Sequence, residues 1–390
     1  SVPATDNVVD GNFCRGTTFE FGIACWDPYS GTLPLRNIIT NNRIFAHNGY
    51  GILIYMPDAG DSFNQVIGNH VQDISAHSTN TSSGAGIYCV GAGMGGTQII
   101  GNTIQNCCIT TGNASLAPAG IGLSGSSAGS VPILVEGNTI EGMTQYHGIL
   151  LTGCAGGASV IGNTVRMPAT QTTTGHGITV TNSNNISVVG NTVLLLTTTQ
   201  NISGIAVIAS GAACTNVTVQ GNTINGGHNA QIRTIQTGGN TTTGLAIVGN
   251  LCNGGDSTCI PLVFDTSSVT RVTVDGNQFV ATGSVAAISQ ASCTVVRYTN
   301  NALSNNGGAA INFTGTNTSS SFVQGLINPG QVNNAGTGLI TETLQTAVPA
   351  SGTYAVGDIV RNSGPSASGV LFWVCTAAGT PGTWKTVSNT

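Results

Sequence analysis

Eleven asparagines recur through the first 301 residues of this 390-residue chain, and no other feature limits its fold so narrowly. They are Asn12, Asn42, Asn69, Asn102, Asn138, Asn163, Asn191, Asn222, Asn250, Asn277 and Asn301, at intervals of 24 to 36 residues. Most follow a glycine and precede a short apolar pair, as in GNTIQ, GNTIE, GNTVR, GNTVL and GNTIN. A second phrase falls between them: GILIYM from residue 51, GIYCV from 86, GIGLS from 120, GILLTG from 148, GITVTN from 177 and GIAVIA from 204. Degenerate copies follow as IPLVF, AAISQ and AAINF.

Each period holds about two or three strands of about three to five residues, with Gly, Asn, Ser and Thr turns between them. No stretch carries a 3.6-residue apolar period, so helical crossovers are not expected. Strands this short bury their apolar faces only by stacking on their own next copies. The expectation is an all-β fold: a right-handed, single-stranded parallel β-helix of about ten to eleven coils over residues 1–313. At ~4.8 Å per coil the rod is roughly 50 Å long. The repeated asparagine is expected to supply the left-handed backbone of a sharp corner and to stack its amide on the next copy.

Composition agrees with a folded repeat and excludes several classes. Charged residues are 6% of the chain, against about 25% in ordinary soluble domains, and Lys385 is the single lysine. A net charge of −5 argues against a nucleic-acid partner, which asks for clustered Lys and Arg. No apolar run approaches the ~20 residues of a membrane-spanning helix. Nothing asks for a cofactor or a metal, since no glycine-rich phosphate loop, His-Glu-x-x-His or calcium loop occurs. Of the 11 cysteines, Cys154, Cys214 and Cys293 recur at one place in the repeat, which suggests buried thiols stacked inside the coil.

The repeat phrases fade over 314–348, which reads as a Ser/Thr/Gly/Asn-rich connector, and the style changes again at 349–390. There Tyr354, Gly357, Asp358, Val360, Trp373, Cys375, Gly379, Pro381, Gly382 and Trp384 form a small aromatic-rich β module. These residues resemble the short Tyr-x-x-Gly-Asp-x-Val … Trp-x-Cys … Gly-Thr-Pro-Gly-x-Trp ends of phage tail and pectate-lyase-like proteins. With the coils, they make the chain similar to the right-handed β-helix superfamily of pectate lyases and phage tailspikes. That resemblance implies a trimeric, extracellular or virion-associated protein acting on bacterial surface polysaccharide. The repeat alone implies none of this, because β-helices also serve as adhesins and spacers.

Two constellations are candidates for a site. Ten of the aromatic residues and half of the 14 acids crowd into the first three coils. A groove there would place Asp58, Asp61 and Asp73 as acid and base, with Trp26, Tyr50, Tyr55, His47 and Arg43 as sugar-binding residues; hydrolysis needs two carboxyl groups roughly 5 to 9.5 Å apart. The alternative reading is that these residues cap the end of the stack. In the second constellation, Glu141 and Arg166 occupy one register position on neighbouring coils, and His147 and His176 another. They read either as a surface ion pair and a stacked imidazole pair or as a lyase-like site. In the latter, His147, His176 or Tyr146 would take a proton and Arg166 would neutralise a uronate carboxylate. A third acidic set is Asp256, Asp265 and Asp275.

Three functions therefore compete: a polysaccharide-binding and polysaccharide-degrading spike, a non-catalytic β-helical adhesin, fibre or spacer, and a uronate lyase or epimerase. Long uncharged Thr/Ser/Gly flanks suit side-by-side packing, so a homotrimer is expected.

Overall fold

The computed structural model describes residues 5–16, 21–26, 35–75, 84–108, 119–143, 146–169, 175–196, 202–265, 269–282, 285–291, 293–304, 311–313, 316–324, 332–334 and 337–389. Of the early acidic and aromatic residues, Phe19, Glu20, Asp27, Tyr29 and His77 lie outside the described residues. The described residues hold strands and turns and no helix. Each coil contributes three strands, and each strand pairs in parallel with its copies one period before and after. Strands before the repeated asparagine, such as Ile133–Glu136 and Ala158–Ile161, build a first sheet of 16 strands. Those just after it, such as Thr139–Glu141 and Thr164–Met167, build a second sheet of 11. The Gly-Ile phrases, such as His147–Cys154 and Ile178–Thr181, build a third sheet of 12. The parallel β-helix expected from the repeat is the fold.

Alternation along each short strand turns one column of Val and Ile inward from every sheet. Val135, Val160, Val188 and Val219 stack from the first sheet, Ile140, Val165, Val193 and Ile224 from the second, and Ile149, Ile178, Ile205 and Ile232 from the third. All are fully buried in one core that runs the length of the rod. Each such side chain contributes about 1.5–3 kcal/mol on burial, and β-branching suits the pleat.

The asparagines stack at one corner, as the register predicts. From Asn12 to Asn277, each side-chain amide donates to the Oδ1 of the next copy at 2.8–3.0 Å, and the backbone N–H donates to the same oxygen. From Asn42 on, the amide also reaches a carbonyl of the coil below. The left-handed backbone, however, belongs to the preceding residue, for example Gly137 (φ 62°) and Gly190 (φ 64°). At those two glycines an added Cβ would meet nothing within 4 Å, so glycine serves conformation there, and Asn41 and Asn300 take the same place. The ladder asparagine is thereby left to aim its amide along the rod. The glycine of the Gly-Ile phrase is different: a Cβ on Gly148 would lie 2.4 Å from Val165 and 2.6 Å from the Gly177 carbonyl.

Cys154, Cys214 and Cys293 share one interior column, interleaved with Ser126, Ser183, Thr242 and Val269. No disulfide joins the 11 cysteines, and nine are buried. Beyond the array, Ile359–Asn362 continues the first sheet alongside Thr337–Gln345, and Val370–Ala377 and Thr383–Ser388 add to it antiparallel. The residues of the terminal motif make this segment's own core. Tyr354, Asp358, Trp373 and Cys375 are buried, and Tyr354 packs edge-on to Trp384 at 4.9 Å.

Candidate functional site

The three sheets present three outward faces, and the coil decides which face each polar or aromatic residue joins. On the third sheet the early aromatics form a ladder. The rings of Phe21 and Tyr50 stack 5.9 Å apart at 3°, and those of Tyr50 and Tyr88 stack 5.2 Å apart at 7°. Tyr50 and Tyr88 are buried, with Leu53 and Ala85, in an apolar cluster separate from the interior core. Beside it Trp26 meets Tyr55 at 5.9 Å, and Trp26 is 49% exposed. Phe63 stands just before the first-sheet strand Gln65–Ile67, and Phe13 and Phe45 lie on the second sheet. There Phe13, Phe45 and His70 follow one another at 5.6 and 5.4 Å, with the Arg43 guanidinium 5.9 Å over Phe45. The sequence cluster is therefore two ladders on two faces.

The candidate carboxylates divide likewise. Asp58 and Asp61 lie on the turn that follows Tyr50–Tyr55, whereas Asp73 follows the second-sheet strand His70–Gln72. Asp61 is an architectural brace: its Oδ1 accepts the Val131 N–H at 2.9 Å, across a Gly95 whose added Cβ would come within 1.9 Å of that oxygen. Asp73 accepts from Gln72 at 3.1 Å and from Asn106 at 3.2 Å. His47 is buried at the turn into the third sheet.

The mid-array residues are also parted by a corner. Glu141 and Arg166 are register partners on the second sheet and line a cavity of about 370 Å³ with Gln105, Asn106 and Pro168. Glu141 takes its hydrogen bond from Gln105 on the coil below, not from Arg166. His147 and His176 lie 5.6 Å apart on the third sheet, their rings tilted by 42°, in the column that Tyr50 occupies earlier. Tyr146 stands just before them with φ 64°.

The third-sheet face carries its own groove, of about 310 Å³, with Tyr88 and His147 among its lining. Leu150 and Ile208 supply its apolar surface, and Ser124, Thr152, Thr179, Thr181, Asn182 and Ser210 its hydroxyls and amide. Tyr88 lies over Gly122, where a Cβ would come within 2.6 Å of the ring. Burial raises the Tyr88 phenol's pKa, and a hydrogen bond with Ser124 acts the other way.

His147 Nδ1 accepts the His176 N–H at 3.2 Å, so the proton of the neutral ring sits on Nε2 and the Thr179 hydroxyl, 2.7 Å away, donates to Nδ1. Burial lowers its pKa to about 4. His176 repeats the arrangement by accepting the Ser203 N–H at 3.0 Å. Its pKa is pushed well below the ordinary value by burial, then by His147 and Arg233. Both rings are neutral hydrogen-bonding groups at physiological pH.

The third acidic set is structural. Asp256 pairs with His228, Asp265 with Arg233, and Asp275 with Thr299 and Asn300. Burial raises the Asp256 pKa, yet hydrogen bonds from His228 and Thr258 outweigh it and leave the group below its usual value. These pairings escaped the sequence reading, although each joins residues about one period apart, which is the signal that finds them.

No protein-family model matches this sequence, and no curated protein does. Among solved structures the chain is similar to the catalytic unit of a thermostable GH87 alpha-1,3-glucanase from Streptomyces thermodiastaticus strain HF3-3. The likeness has TM-score 0.41 and 15% identity, and it covers 72% of this chain and 48% of that one, so the chain spans about half the length of that unit. It is also similar to the Dettilon tailspike protein, with TM-score 0.48 and 14% identity over 95% of this chain and 71% of that one. A third likeness is to the ORF18 protein of Geobacillus virus E2, with TM-score 0.36 and 10% identity over 93% of this chain and 70% of that one.

Proposed function

We propose that this chain is a polysaccharide-binding rod of the tailspike kind, holding bacterial surface glycan along the outward face of its third sheet. One observation carries the reading: an aromatic ladder and a hydroxyl-lined groove lie end to end on that face and share Tyr88. Sugar rings offer apolar C–H faces that pack on aromatic rings, and hydroxyls that need convergent donors and acceptors. Trp26 and Tyr55 are the aromatic surfaces presented beside the ladder. Hydrolysis is assigned to Asp58, on the turn that leaves the Tyr50–Tyr55 strand, with Asp61 bracing that turn through its bond from the Val131 N–H. The terminal motif adds the expectation of a virion-borne or extracellular homotrimer.

The test is affinity electrophoresis of the full chain in gels cast with bacterial capsular polysaccharides, followed by reducing-end release. Trp26→Ala and Tyr55→Ala are expected to weaken binding by about tenfold, the scale of a truncated aromatic anchor. Asp58→Asn is expected to stop release without weakening binding. If retardation survives in both aromatic variants, the face assignment fails. If no polymer is retarded or cut, the rod is a spacer. The uronate lyase or epimerase reading has Arg166 and a cavity in its favour, but His147, one of the bases it would use, lines the other groove.

A further inference from the structure

The lining of the third-sheet groove specifies a class of sugar. We infer that it takes an uncharged glycan, one whose residues carry hydroxyl and N-acyl groups but no carboxylate, sulfate or phosphate. This rests on reading the groove as a glycan site. No Asp, Glu, Lys or Arg lines it. On the same sheet Arg233 is paired with Asp265, and Glu141 and Arg166 line the cavity on the second sheet.

An anionic sugar entering here would give up its hydration without meeting a counter-charge, a loss that hydroxyls do not make good. A neutral sugar exchanges water for partners of its own kind. Thr152, Thr181 and Ser210 each give one donor and accept in return, and Asn182 offers its amide N–H groups, its Oδ1 being held by the Ser210 and Gly211 N–H at 2.8 and 3.1 Å. His147 joins them as a neutral N–H donor, because its Nδ1 is committed to the His176 N–H and the Thr179 hydroxyl. The lining residues run from the strand Ile87–Val90 to Ser203–Ala209, four coil steps on the third sheet. At ~4.8 Å per step that is about 19 Å, room for several sugar residues in line along the rod.

The experiment measures binding of the full chain, by calorimetry and affinity electrophoresis, to two sets of polymers. The neutral set is a panel of glucans, mannans, galactans and N-acetylhexosamine polymers, and the acidic set is polygalacturonate, alginate and a sulfated galactan. The expected result is binding within the neutral set that changes less than about twofold between ~50 and ~500 mM NaCl, since no ion pair is formed to be screened. Thr164→Asp, on the exposed face of the second sheet, is expected to leave that binding within about threefold, while Thr152→Asp, inside the groove, weakens it by more than about tenfold. Tighter binding to an acidic polymer, weakening with salt, overturns the inference and leaves the glycan reading standing. Binding to neither set overturns both. The wild-type selectivity decides the matter even if Thr152→Asp does not fold.

Discussion

Replacing one asparagine in the middle of the ladder tests how the rod is held together. The Asn163 side chain accepts from the backbone N–H and the amide of Asn138, both at 2.9 Å. It donates to Asn191 Oδ1 at 2.9 Å, to the Val135 carbonyl at 3.0 Å and to the Ile161 carbonyl at 3.2 Å. It is fully buried, so Asn163→Ala takes the acceptor from the Asn138 backbone N–H, one of three from the Asn138 amide, which keeps the Ile99 and Glu136 carbonyls, and the amide donor from the Val135 carbonyl. Each buried group so orphaned costs about 1–3 kcal/mol, and relaxation of the neighbours brings the sum to ~3–6 kcal/mol.

Asn12, at the exposed first rung, only donates, to Asn42 Oδ1 and to the Asp10 carbonyl, and Asn42 Oδ1 keeps the Asn12 N–H after truncation. Asn12→Ala should therefore cost about 1 kcal/mol. The assay is urea unfolding followed by far-ultraviolet circular dichroism and tryptophan fluorescence together, because stacked repeats can unfold in steps. If Asn163→Ala shifts the transition no more than Asn12→Ala, the ladder is not what holds the corner.

The two kinds of glycine should separate in the same assay: Gly190→Ala costs about 1 kcal/mol of left-handed strain, with Gly190→Asn milder, whereas Gly148→Ala costs upward of ~3 kcal/mol by clash with Val165 and the Gly177 carbonyl. A smaller effect for Gly148→Ala than for Gly190→Ala would reverse the assignment. His147 makes stability pH-dependent. Its folded pKa, about 4, lies below that of the unfolded chain, near 6.5, so the unfolded state binds more protons between these values. Stability should be full above about pH 6.5 and decline toward pH 4, by at most ~3 kcal/mol from this group, and His147→Gln should flatten the decline. Under native conditions a thiol reagent should modify Cys14 and Cys25 only, and reach the nine buried thiols on unfolding; burial raises the pKa of both groups as well, so even these two should react slowly at neutral pH.

The period and everything that follows from it were legible in the residues. A strand–turn phrase returning every 24 to 36 residues can satisfy its backbone only on its own copy, so stacking, parallel pairing and the shared register of Glu141 with Arg166 and of His147 with His176 follow from one dimension. Which outward face a residue joins needed the path of the chain around the corner. Glu141 and His147 are six positions apart, yet they line different cavities, because the turn between them carries the chain from the second sheet to the third. The early acids and aromatics, contiguous in sequence, part in the same way. The left-handed position passed from the asparagine to the residue before it, since an amide that must reach the coils above and below needs its own backbone in the ordinary region. Linear spacing along the rod is a property of the repeat, whereas distance around the coil depends on turns whose lengths the repeat leaves free.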